Sequence, residues 1–155
     1  FICGINWGVR ASDLLAVKVG LVRSLGISDS FVIIEKKTGK QRRITINLAT
    51  YNAIQALLDS DTSDDDFLFR SRLGGPLTVS TLSGLVKRWC RDEKLDGSNY
   101  SSHTLRKTWG YHQRIQHHVP LPVLMEIFNH ATQRQTMTYL CIQPEEIRDV
   151  YLNEI

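Results

Sequence analysis

The sequence predicts a mainly α-helical domain with one small antiparallel β-sheet, an α+β fold. Three observations carry that expectation. Apolar residues recur at helical spacing through 48–60, 78–95 and 119–130. One β-branched stretch, "FVIIEKKTGKQRRITIN" at 31–47, has the form of a hairpin with "KTGK" as its turn. The chain has 155 residues, 42% of them hydrophobic, enough for one domain with its own core.

The opening "FICGINWGVR" is apolar and element-like, with no Met and no basic leader. It reads as a cut inside a larger protein, not as a signal peptide. Residues 11–18 form a short helix capped by Ser12 or Asp13, with Leu14, Leu15 and Val17 turned inward. The hairpin sets Phe31–Glu35 against Arg43–Asn47, and Gly39 supplies a permissive backbone at the turn. A helix over 48–60 buries Ile54, Leu57 and Leu58. An acidic segment follows, then a short extended "FLF" at 67–69 and a Gly-Gly-Pro turn at 73–78. The helix over 78–95 has Val79, Leu82, Leu85, Val86 and Trp89 on one face. "DGSNYSS" is a loop, and Ser101 or Ser102 caps a helix running from about His103 to His117. The helix over 119–130 carries a Pro in its first turn and buries Leu121, Leu124, Ile127 and Phe128. Residues 131–141 are polar and form a helical turn leading to a last helix at 144–155, begun by Pro144 with acids in its first turn. No internal repeat is present.

No run is long and apolar enough to cross a membrane. Cys3, Cys90 and Cys141 are odd in number and far apart, against a disulfide framework or a C-x-x-C zinc site and in favour of a reducing cytoplasm. His112, His117 and His118 lack a Cys or acid to complete a zinc set, so they read as surface or DNA-facing residues. A calcium loop from Asp59 would need Gly and Glu where Asp64 and Arg70 stand, so the acidic segment is a solvated loop. Trp7, Trp89 and Trp109 read as core, and Tyr111 and Tyr151 as half-buried packing residues. Net charge is +3, yet Asp59, Asp61, Asp64, Asp65 and Asp66 hold five of the 16 acids; outside them basic residues exceed acidic ones by eight. A basic body with one acidic loop suits a polyanion such as DNA.

"SSHTLRKTWGYH" at 101–112 sets His103 and Arg106 three apart, neighbours on one helix face. Two such groups share a face most readily around an anion. Arg10 in "WGVR" adds a second guanidinium fork of the kind that grips phosphate. The hairpin adds Lys36, Lys37 and Lys40, with Arg42 and Arg43 behind them. "FNHAT" adds His130, and nine residues on, "TMTYL" adds Tyr139. Two Arg and two His can neutralise a phosphodiester without a metal. A phenol can attack it and form a phosphotyrosine, and a Lys can protonate the leaving oxygen.

In that order, these residues resemble the tyrosine recombinase (phage integrase) family. "WGVRASDLL" is similar to its first box, "HTLRKTWGYH" to its second and "LMEIFNHATQRQTMTYL" to its third, together spanning residues 4 to about 142. The resemblance implies a recombinase catalytic-domain fold and a site-specific recombinase or integrase. Arg10 and Arg106 would hold the scissile phosphate, His103 would assist proton transfer and His130 would hydrogen-bond a phosphate oxygen. Lys37 would be the general acid, with Lys36 and Lys40 as close rivals. Tyr139 would form a 3′-phosphotyrosyl link and free a 5′-hydroxyl, with no metal, ATP or other cofactor. Lys36, Lys40, Arg42, Arg43 and Lys107 would contact DNA. The partners implied are double-stranded DNA and further protomers in a tetrameric synapse, in the cytoplasm at the nucleoid. Asn129 stands where the family commonly has Gly, Val9 where Leu is commoner and Asp13 where Glu is commoner. Residues 1–155 would be a single catalytic domain, the C-terminal part of a larger recombinase without its N-terminal DNA-binding domain. The rival readings are a type IB topoisomerase-like enzyme, which shares the chemistry but relaxes supercoils, and an inactive DNA-binding regulator of the same fold.

Overall fold

A computed structural model describes residues 1–95, 97, 99–142, 150–152 and 154. They form seven α-helices and one two-stranded antiparallel sheet, as the α+β expectation requires. None of these helices is long and apolar enough to cross a membrane. The chain divides into two compact units, Phe1–Arg106 and Lys107–Ile155.

The first unit begins with α1 (Ile2–Trp7), which buries Cys3 and Trp7 and stops at Gly8. Gly8 has φ 61°, the left-handed turn that glycine adopts without a Cβ penalty. The turn delivers Arg10 as the first residue before α2 (Ala11–Leu14). This helix is shorter than the predicted 11–18, because backbone pairing takes over. The N–H of Leu68 donates to the Val17 carbonyl and that of Val19 to the Asp66 carbonyl, both at 2.9 Å. Within "FLF", Phe67 forms an isolated bridge with Lys18, while Leu68 and Phe69 lie in a bend rather than in the extended piece expected.

β1 (Ser30–Ile34) pairs with β2 (Gln41–Thr45), Phe31 opposite Ile44 and Ile34 opposite Gln41. The second strand therefore starts and ends earlier than 43–47. Asn47 leaves the ladder and caps α3 (Leu48–Gln55) in a reciprocal box with Thr50. α3 stops short of 60; Ile54 is buried, whereas Leu57 is exposed. α4 (Val79–Asp92) is capped by Thr78 and buries Leu82 and Val86, while Val79 faces outward. Trp7 is the centre of the core, meeting Phe31 and Phe69 edge-on at 5.2 and 6.5 Å between ring centroids.

The acidic segment is more than a solvated loop. Asp64 pairs with Arg23 at 2.5 Å and Asp66 with Arg70 at 3.0 Å, and the Arg23 guanidinium also donates to the Thr62 carbonyl. The N–H of Gly20 donates to the Asp64 carbonyl, which fixes the loop on the 3-10 turn at Val19–Leu21.

α5 (Ser102–Ile115) starts in the first unit, where Leu105 joins the core, and continues into the second. The second unit adds α6 (Leu121–Phe128) and α7 (Gln133–Tyr139), with Leu124, Phe128 and Leu140 as its buried centre. α7 settles the polar stretch as a helix, begun by Thr132, whose hydroxyl accepts the Gln135 N–H. Tyr151 is 86% exposed and is not the half-buried packing residue expected, whereas Tyr111 is 47% exposed. The helix expected at 144–155 lies largely outside the described residues.

Gly110 is where α5 meets the other two helices. A Cβ there would come within 2.5 Å of the Phe128 ring and 2.6 Å of Leu140. Close packing has no slack for that atom. Gly110→Ala is expected to destabilise the chain by about 1–3 kcal/mol, read as a lower urea midpoint. Gly84→Ala, at an exposed helical glycine with open space around it, is the control and is expected to stay at or above the parental midpoint.

Candidate active site

Alternation along β1 explains the first part of the site. Phe31 and Ile33 point inward, and the same period carries Glu35 inward just beyond the strand. A carboxylate that is 2% exposed needs cations. Arg10 Nη1 donates to Glu35 Oε2 at 2.7 Å, Arg42 Nη2 lies 2.9 Å from Oε1, and the Thr38 hydroxyl donates to Oε2 at 2.8 Å. Burial pushes the Glu35 carboxyl up, but the Thr38 hydroxyl and the Arg10 and Arg42 guanidiniums outweigh it and hold it below the ordinary glutamate range.

The hairpin tip is anchored to the Arg10 loop a second time. Asp13, buried beside it in α2, accepts the backbone N–H of Lys36 at 2.9 Å. Lys37 sits exposed between Lys36 and Thr38, both of which are held. Lys36, Lys40 and Arg43 are exposed. Arg42 is not placed for the DNA-contacting role expected: its side chain is only 13% exposed and turns to Glu35.

Arg106 is buried on α5, and its Nε donates to the Gly8 carbonyl at 2.9 Å. The second guanidinium thereby meets the glycine turn that ends two residues before Arg10. His103, one turn earlier on α5, is exposed. Its backbone N–H donates to the Ser101 hydroxyl at 3.3 Å, which makes Ser101 the cap residue of the two considered.

In the second unit, Asn129 ends α6 in the left-handed conformation, φ 53°. Asn is among the few side chains that tolerate this turn, so it serves where Gly is common. His130 follows. Its Nδ1 lies 3.0 Å from the Thr136 hydroxyl, and its ring stacks on Phe128 with centroids 5.3 Å apart. Tyr139, the last residue of α7, meets the His130 ring edge-on at 5.2 Å and Phe128 at 5.1 Å. Lys107 stands over the Tyr139 ring, Nζ 5.4 Å from its centroid. Lys107, Thr132, Arg134, Gln135, Thr138 and Tyr139 line an open surface cleft of about 500 Å³.

Arg10, Lys37, His103 and Arg106 thus belong to the first unit, and His130 and Tyr139, with Lys107, to the second. Sequence reasoning missed Glu35, whose signal is the inward alternation of β1, and Asp13 as a staple of the hairpin.

The family model described as "Phage integrase family" matches residues 5–146. A relative named "Probable integrase/recombinase YoeC" from Bacillus subtilis (strain 168) is 31% identical over 154 residues, covering 97% of this chain and 80% of the relative. "Tyrosine recombinase XerC" of Caldanaerobacter subterraneus subsp. tengcongensis is 27% identical over 149 residues, covering 94% of this chain but 41% of the relative. Among solved structures, the XerH site-specific recombinase in a pre-cleavage complex with its difH substrate superposes with a TM-score of 0.68 at 18% identity. That match covers 97% of this chain and 44% of the other.

The lowered Glu35 carboxyl makes stability pH-dependent in a known direction. The unfolded chain takes up the proton first as pH falls, so the contribution of Glu35 is complete above the ordinary glutamate range and is lost below it. Glu35→Gln is expected to lower the urea midpoint at pH 7. The gap to the parent should narrow below pH about 4. A gap constant with pH would contradict the ion-paired carboxylate.

Proposed function

This chain belongs to the phage integrase family, and on that premise we propose that it cleaves and rejoins DNA strands as a site-specific recombinase or integrase. The observation that supports this most is the bond from Arg106 to the Gly8 carbonyl, which brings the H-x-x-R helix to the glycine turn before Arg10. Two guanidiniums drawn to one loop form the positive receptor that a phosphodiester needs. The packing of Tyr139 against His130 supports a nucleophile acting beside a phosphate-oxygen donor.

In this reading Arg10, Arg106 and His130 hold the non-bridging oxygens. Tyr139 Oη attacks phosphorus, either in the same copy or in a neighbouring one. The new O–P bond forms as the P–O5′ bond breaks; Lys37 gives its proton to the departing 5′-oxygen, and the phenol proton passes to His103 or water. The 3′-phosphotyrosyl link conserves the bond energy. A 5′-hydroxyl from a second strand then reverses each step, so ATP is not needed. In this reading DNA is the partner, and the similar XerH structure is bound to its difH substrate. The recombination reading adds a tetrameric synapse of protomers and places the work in the cytoplasm at the nucleoid.

The test starts from duplexes that the protein itself retains from a random library. Nicked half-sites made from them are expected to give a denaturant-resistant protein–DNA band. Tyr139→Phe should abolish it, and Arg106→Ala should reduce it at least about a hundredfold. Duplex affinity should fall steeply with added salt. A band that persists in Tyr139→Phe would reject the nucleophile.

A further inference from the structure

One buried carboxylate touches three parts of the first unit. Glu35 accepts from Arg10 Nη1, pairs with Arg42 Nη2 and accepts from the Thr38 hydroxyl, all within 2.9 Å. The main chain at Glu35 also closes the turn: its carbonyl accepts the Gly39 N–H at 2.8 Å, and its N–H donates to the Lys40 carbonyl at 2.9 Å. Lys37 lies inside that closed loop.

We infer that Glu35 is a positioning residue for strand cleavage, which fixes the Arg10 guanidinium and the Lys37 turn against one another through a single carboxylate. The inference rests on the function proposed above and deepens it. Arg10 has five N–H donors, and its bond to Glu35 engages one edge of the fork, orienting the remainder. Arg42 has a distinct part. With Arg10 alone, the carboxylate would compete with a phosphate for the same cation. With two guanidiniums on one carboxylate the cluster carries a surplus positive charge, so Arg10 can bind an anion while Glu35 keeps a counterion. Thr38 is the mechanical link, tying the residue next to Lys37 to that cluster. Phosphate grip and leaving-group protonation are therefore set together.

The test uses the selected nicked half-site in two forms, one with the ordinary 5′-oxygen and one with sulfur bridging at that position. A thiolate leaves without a proton, so the sulfur substrate is indifferent to the general acid. On the ordinary diester, Glu35→Gln is expected to slow adduct formation between about tenfold and a hundredfold, with half-saturating DNA concentration within about threefold of the parent. Thr38→Ala loosens only the turn. Its deficit should vanish on the sulfur substrate, whereas that of Glu35→Gln should shrink only in part, because Arg10 stays misplaced. Glu35→Gln cleaving at the parental rate would overturn the inference and leave the proposed function intact. Equal deficits on both substrates in Thr38→Ala would also overturn it. So would losses in Glu35→Gln that come with weakened DNA binding and a melting temperature below the assay temperature, which is what a merely structural residue would give. A parent that forms no Tyr139-dependent adduct on any selected duplex would overturn the functional reading, and the inference with it.

Discussion

A carboxylate cannot be buried at the end of a two-stranded hairpin unless charge goes with it. Desolvating an ion costs several kcal/mol, and a lone hairpin is marginal in water. Glu35 meets both difficulties with the same contacts. Arg10 and Arg42 balance its charge, and in doing so Arg10 holds the hairpin to the loop before α2. Asp13 adds a second tie through the Lys36 N–H. The hairpin is thus no passive basic flap: the position of its tip follows from where the cations of the first unit must go.

The second unit solves a different problem, the close approach of three short helices. Gly110 lets α5 sit against Phe128 and Leu140, and Asn129 turns the chain sharply enough for His130 to stack back on Phe128. Phe128 then serves as a common wall for Trp109, His130 and Tyr139. The packed Phe128 ring, together with the Thr136 hydroxyl at His130 Nδ1, sets the imidazole against the phenol. This accounts for an apolar helix, α6, ending directly on a polar site.

What the sequence revealed divides along physical lines. The candidate groups were legible because the proposed phosphoryl transfer calls for particular chemistries, and Arg10, Lys37, His103, Arg106, His130 and Tyr139 are recognisable by type and order. The α+β class was legible from period alone. Element ends were not: α2 gives way at Val17 to a partner some fifty residues on, and β2 ends early because Asn47 does more as a helix cap. Such choices depend on contacts far along the chain. Arg42 was misjudged for a related reason. A search for cations facing outward treats each Arg alike, and nothing in "KQRRIT" says which guanidinium turns inward until the burial of Glu35 is known. The alternation Phe31, Ile33, Glu35 did contain that information.

Charge tells the same story at larger scale. Counted along the sequence, the acids concentrate in one loop and leave a basic remainder. In the folded chain that loop takes cations with it: Arg23, Arg70 and, more loosely, Lys18 lie on Asp64, Asp66 and Asp65. Glu35 takes Arg10 and Arg42. The surface pairs of the acidic loop contribute little to stability, but they weaken the long-range field of both partners, whereas the buried Glu35 cluster keeps a surplus positive charge. On the hairpin, Lys36, Lys37, Lys40 and Arg43 are exposed, consecutive or nearly so, and ride on a tip fixed at two points. Under the proposed function, a polyanion would be steered less by the net charge of the chain than by this tip, which the Glu35 carboxylate ties to the loop that presents Arg10.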